Sequence, residues 1–353
     1  KFGSKEKWAA TTTAMLRDEG FNGVGCWSDI ASLSTPSTPL VYTLLGTPPT
    51  KEASYEGGMM QEFGKKYKIA KPGVGHFDYP ESCIPVFHPD FPAFCDTYAQ
   101  TFARFKNDPY LLGYYSDNEL PLPQLSKYLK LSPTDPGMGS SYQAARIWWD
   151  ARKGKDAPAT GITKEDENDW AQYVFERYFE ITTKAIRKYD PNHLCLGPRF
   201  NLGNRSAGAY RAAGKYLDVI AVNMYFVWDP RERIAQLSGW AKKPLMITEF
   251  YAKGADSGFE NTTGAGWLVP TQKDRGLFYQ TFTLGMLESK NCVGWHWFKY
   301  MDNDPSDKNA EASNKDSNKG IITCTYEPYT PLIEQMRAVN RSVYPLVEYL
   351  DKQ

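Results

Sequence analysis

The 353-residue chain reads as an α/β protein, a (β/α)8 TIM barrel whose first strand lies upstream of Lys1. Three observations predict it. Helix-period stretches alternate with short apolar runs along most of the sequence, the pattern of βα units feeding a parallel sheet. No internal repeat and no Pro/Gly/Ser linker divides the chain, so residues 1–353 fit one large barrel domain better than two ordinary domains. Acidic residues close two of the apolar runs, and in a barrel of this kind strand ends carry the functional loops.

The elements follow in order. Helix 5–19 stops at Gly20, a residue free to adopt the left-handed conformation that ends helices. Apolar runs at 21–27 (FNGVGCW) and 40–46 (LVYTLLG) read as strands, and helix 91–106 leads to a third at 111–118 (LLGYYSDN). Helix 166–189 sets Trp170, Val174, Phe175, Tyr178, Ile181 and Ile186 on one face and ends before Asp190 and Pro191. Strands at 193–200 (HLCLGPRF), 218–225 (DVIAVNMY) and 244–250 (PLMITEF) come next, and helix 273–289 precedes the last, 292–298 (CVGWHWF). That makes seven strands, and because the chain opens on a helix, the missing one is expected before Lys1. The rival is a strand at 68–75 (KIAKPGVG), but Pro72 and two glycines make a poor central strand. Two polar, turn-rich segments, 132–164 and 301–320, are expected to be long loops after strands, with a disordered linker as the alternative for 301–320.

Composition narrows the function classes. Lys plus Arg and Asp plus Glu each total 41, and no run of like charge occurs, which argues against a nucleic-acid or polybasic membrane-surface partner. The apolar runs fall far short of the ~18 residues that cross a bilayer. KFGSKEKW at the start contains no apolar signal core, so any targeting signal is expected to have been removed. The six cysteines show no C-x-x-C pair and read as buried thiols, with Cys83 and Cys95 alone near enough in sequence to suggest a disulfide. Four histidines without zinc spacing point to no metal, and nothing calls for a cofactor. Aromatic residues make up 14% of the chain, which suits a sugar ligand and equally a large aromatic core.

Glu119 ends the strand at 111–118 in Tyr-Ser-Asp-Asn-Glu, and Glu249 ends the strand at 244–250 in Ile-Thr-Glu-Phe. A carboxylate after several buried strand positions is costly unless it is paired or functional. Counting backward from the last strand as the eighth, they fall on the fourth and seventh, at the C-terminal face where active sites of the fold lie. Two such carboxyl groups meet the requirement for glycosidic bond cleavage: one protonates the leaving oxygen, the other attacks or activates water. Two buried salt-bridged acids are the alternative.

The segments LRDEGFNGVGCWSD (16–29), GYYSDNE (113–119), ITEFYAKGADSG (247–258), VGWHWFKYMD (293–302) and the later NKGI and YEPY (318–329) resemble the β-agarases of glycoside hydrolase family 50, within the retaining (β/α)8 clan. The resemblance runs along nearly the whole chain. It implies that Glu119 is the general acid/base, Glu249 the nucleophile, and Asn118 a ligand of the 2-hydroxyl in the −1 subsite. It further implies that Tyr225 orients Glu249 and that Trp297 forms the platform beneath the −1 sugar. Cys26, where a polar residue is expected, and Tyr251, where a histidine is expected, depart from the pattern and put the substrate in question.

Other residues flank the same strand ends. Trp27 and Asp29 follow the strand at 21–27, and Arg199 and Asn201 the one at 193–200. Arg199 serves either to pair a catalytic carboxylate or to bind substrate. His76 is either a hydroxyl ligand or a loop histidine, and Trp267 either stacks on a leaving-group sugar or anchors its loop. The expected function is a secreted or periplasmic retaining glycoside hydrolase whose partner is a β-linked galactan. Retention calls for carboxyl groups about 5–5.5 Å apart. The alternatives are a β-galactosidase or β-glucanase of the same clan and a catalytically silent carbohydrate-binding barrel.

Overall fold

A computed structural model describes residues 1–37, 39–46, 56–73, 77–201 and 206–353. Two units emerge from the packing: Lys1–Tyr42 with Val222–Ser238 and Pro244–Gln353, and Thr43–Ala221 with Gly239–Lys243.

In the first unit, helix Lys5–Asp18 begins where the Ser4 side chain accepts from the amide of Lys7, satisfying one of the helix's orphan donors. Strand Gly23–Val24 pairs in parallel with Val41–Tyr42. Strand Leu245–Glu249 is buried at all five positions, as its unbroken apolar run demands. It pairs in parallel with Cys292–Trp295 on one side. On its other side lies Val222–Asn223, the end of strand Ile220–Asn223. Helix Gln272–Glu288 starts with a reciprocal capping box between Thr271 and Asp274. Its Phe282 stacks on Phe250 at 4.4 Å between ring centroids, so the residue after Glu249 is a core anchor.

In the second unit, strand Leu111–Tyr115 pairs in parallel with Leu194–Gly197. Helix Lys164–Tyr189 opens on a Thr163–Asp166 capping box and buries Trp170, Val174, Phe175, Tyr178 and Ile186, with Ile181 half-buried. Asp190 ends it for a specific reason: its fully buried carboxylate accepts from the Tyr114 hydroxyl at 2.5 Å and from the amide of Asn192, and pairs with His193.

Each of the seven expected strands contains an observed one, and the fold is mixed α/β with parallel pairing. Among the described residues of the rival strand at 68–75, Lys71–Pro72 is extended and pairs antiparallel with Phe77–Asp78 in a two-stranded ribbon. Segment 132–164 is not irregular throughout. It holds helix Gly139–Lys153, whose Trp149 is buried and donates its indole N–H to the Ala157 carbonyl. The Pro and Gly residues that suggested a loop stand mostly before this helix, where Asp135 accepts from the amides of Gly137 and Met138. Segment 301–320 is anchored by Asp302, which is buried and accepts from the amides of Lys319 and Gly320, the Asn318 side chain and the Tyr329 hydroxyl. Cys83 and Cys95 are both buried and form no disulfide with each other. Burial pushes the Cys195 thiol up to about 12 and Cys292 to about 11, as for small apolar residues.

Candidate active site

In the second unit the site is built on the turn after strand Leu111–Tyr115. The Ser116 carbonyl and the Asp117 carboxylate dock on the start of helix Met59–Lys66. Met59 donates to Ser116, and Met60 and Gln61 donate to the two Asp117 oxygens at 2.9 and 3.0 Å. Gly58 precedes that helix and offers no capping side chain. A Cβ there would stand 2.3 Å from Asp117 Oδ1, so only glycine lets the carboxylate reach the exposed amides. Tyr178 adds a 2.5 Å hydrogen bond to Asp117. Burial outweighs these bonds and pushes the Asp117 carboxyl up to about 7.

Two residues on, Glu119 adopts a left-handed backbone (φ 49°), as does Arg199 (φ 46°), conformations that are rare outside glycine and cluster at functional sites. The Glu119 amide donates to the carbonyls of Pro198 and Arg199, latching the two strand ends together. Arg199 is buried, donates to Asn118 Oδ1 at 2.8 Å, and lies over the Tyr115 ring. It therefore orients the asparagine. Asn201 closes the short strand Phe200–Asn201 and is half-buried. His76 lies outside the described residues.

In the first unit, Glu249 is the last residue of its strand, is 6% exposed, and accepts from the Tyr225 hydroxyl. The Tyr225 ring meets Tyr251 edge-on at 5.2 Å, and Tyr251 meets Phe298 at 6.2 Å. The Lys319 ammonium sits over both Tyr251 and Phe298, and burial pushes it down to about 7. Trp27 projects into solvent and touches Phe298 edge-on. Asp29 caps helix Ile30–Leu33 through Ser32 and pairs with Lys5. Trp297 donates its indole N–H to the Lys319 carbonyl and packs among Phe250, Phe278, Tyr279 and the Arg275 guanidinium. It is half-buried, so part of the side chain stays accessible. Trp267 is half-exposed and meets Phe226 and Trp228.

Sequence reasoning passed over Phe298, Lys319 and Asp117. Asp117 stood in the quoted motif and Phe298 next to Trp297, so the signal available was adjacency. Among the described residues, no group of three or more His, Cys, Asp or Glu is placed to hold a metal.

No family model matches the chain. Beta-agarase B of Vibrio sp. (strain JT0107) is 26% identical over 389 residues, covering 98% of this chain and 37% of that protein. Beta-agarase A of the same strain is 25% identical, with 36% of its length covered, so the chain spans just over a third of these curated relatives. The solved structure of BpGH50 superposes with a TM-score of 0.82 at 31% identity, covering 99% of this chain and 74% of that one. The chain belongs to glycoside hydrolase family 50. An agarase, AgWH50C, shares the fold of this family 50 chain with a TM-score of 0.73 at 21% identity, over 97% of this chain and 49% of that one. Membership accords with the motifs at 16–29, 113–119, 247–258 and 293–302, which together carry the resemblance.

Proposed function

We propose that this family 50 chain is the catalytic part of a retaining glycoside hydrolase, built on a (β/α)8 barrel and acting on an agarose-like β-linked galactan. The observation that carries the reading is the hydrogen bond from Tyr225 to Glu249, because it gives a strand-end carboxylate an orienting partner of the kind a nucleophile needs. Glu249 attacks the anomeric carbon and forms a glycosyl ester while Glu119 gives its proton to the leaving oxygen. Glu119 then takes a proton from water, whose oxygen displaces Glu249 and restores both carboxyl groups. Arg199, by engaging Asn118 Oδ1, determines which way the amide N–H groups of Asn118 point, and these donate to the sugar 2-hydroxyl. Sequence similarity to named β-agarases supports the galactan. A polysaccharide substrate places the enzyme outside the cytoplasm, secreted or periplasmic.

The test is product analysis on agarose, porphyran, β-glucan and β-galactosides, with the anomer of the first product read by proton NMR. Agarose cleavage with a β-anomeric first product is expected, and Glu249→Gln should abolish turnover while substrate binding persists. An α-anomeric first product, or a near-normal rate in the variant, overturns the mechanism. Cleavage confined to β-glucan or small β-galactosides overturns the substrate.

A further inference from the structure

Three large rings of the first unit stand together in solvent. Phe226 is 59% exposed, Trp228 47% and Trp267 38%. Trp267 is central, 5.8 Å from Phe226 and 6.3 Å from Trp228 between centroids. Contiguous exposed apolar surface of this kind marks a binding site.

The rings are also held in place. Phe226 adopts a left-handed backbone (φ 55°), costly for a bulky side chain. Trp228 rests on Phe278, a buried residue of helix Gln272–Glu288, at 5.1 Å. Trp267 opens strand Trp267–Val269 and pairs in parallel with Ala252 of Ala252–Gly254. Phe226 and the strand beside Trp267 lead back to the candidate nucleophile. Phe226 directly follows Tyr225, the partner of Glu249, and Ala252 stands three residues beyond Glu249.

We propose that Phe226, Trp228 and Trp267 form an outer subsite on which sugar units of the polysaccharide chain stack, beyond the unit whose bond is cleaved. Flat rings without a charged group of their own suit the C–H face of a neutral pyranose. Nearby Asp229 is already paired with Arg231. The identity of the chain as a galactan rests on the function proposed above; the platform itself does not.

The experiment is affinity electrophoresis of the Glu249→Gln protein, with and without Trp228→Ala, Trp267→Ala or Trp228→Phe, through gels containing agarose, porphyran, xylan or β-glucan. Agarose is expected to retain the parent, either alanine variant to bind about tenfold more weakly, and Trp228→Phe to keep most of the affinity. Retention by xylan or β-glucan alone, lost on Trp228→Ala, supports the platform and overturns the galactan. No retention by any polysaccharide, retention indifferent to both alanine changes, or equal loss in Trp228→Ala and Trp228→Phe overturns the platform.

Discussion

The phenolic hydroxyl of Tyr225 donates a hydrogen bond to Oε2 of Glu249, joining the end of one strand to the end of its neighbour. Two further bonds reinforce the link: the Met224 amide donates to the Glu249 carbonyl at 2.7 Å, and the Thr248 hydroxyl donates to the Asn223 side-chain oxygen at 2.7 Å. A carboxylate whose strand end is fastened to its neighbour in this way is oriented before substrate arrives.

Tyr225→Phe removes the phenolic donor and keeps the ring contact with Tyr251. On agarose, kcat is expected to fall about ten- to hundredfold, since a hydrogen bond to a charged group contributes about 1.5–3 kcal/mol. Steady-state kinetics and a thermal melt check this together. A normal kcat would show that Tyr225 does not position Glu249 for catalysis.

Asp117 makes stability depend on pH. Its folded carboxyl titrates at about 7, above the ordinary 3.8, so between these values the folded chain holds a proton that the unfolded chain has released. Its contribution is therefore complete below about pH 4 and is lost as pH rises through about 7. Urea unfolding of the parent and of Asp117→Asn from pH 4 to pH 8 should show the parent's advantage shrinking as pH rises. A constant or growing difference would contradict the assignment.

Asp302→Ala takes four acceptor bonds from segment 301–320 and the Tyr329 hydroxyl, leaving buried donors unsatisfied. A loss of about 3–5 kcal/mol is expected, by analogy with removing one partner of a buried charged network. Limited proteolysis should then cut within 301–320 before the rest of the chain. A variant as stable and as resistant as the parent would show that Asp302 does not hold this segment.

Much of the fold was legible because burial writes periodicity into sequence. The run LMITE has no exposed position, and the helix at 164–189 repeats its apolar residues at helical spacing. Segment 132–164 misled because Pro133, Gly137 and Gly139 mark how a helix begins as readily as how a loop runs, and the helix there buries few of its residues.

The sequence by itself determined that Glu249 ends an apolar strand and that Glu119 follows another, on the turn after Leu111–Tyr115, and its motifs carried the family. Tertiary structure decided which partners each polar or aromatic group near those ends meets. Asp117 and Glu119 lie two residues apart in one motif, yet Asp117 is consumed by the amides of Met60 and Gln61, some 57 residues earlier in the chain. Asp29 bonds Ser32 and Lys5, and the half-buried Trp297 packs on Phe250 and Phe278, while its neighbour Phe298 faces Tyr251 and Trp27. The reason is physical. Periodicity is a local record of burial, whereas the role of a carboxylate or ring depends on which donors and faces reach it, and folding brings those from far along the chain.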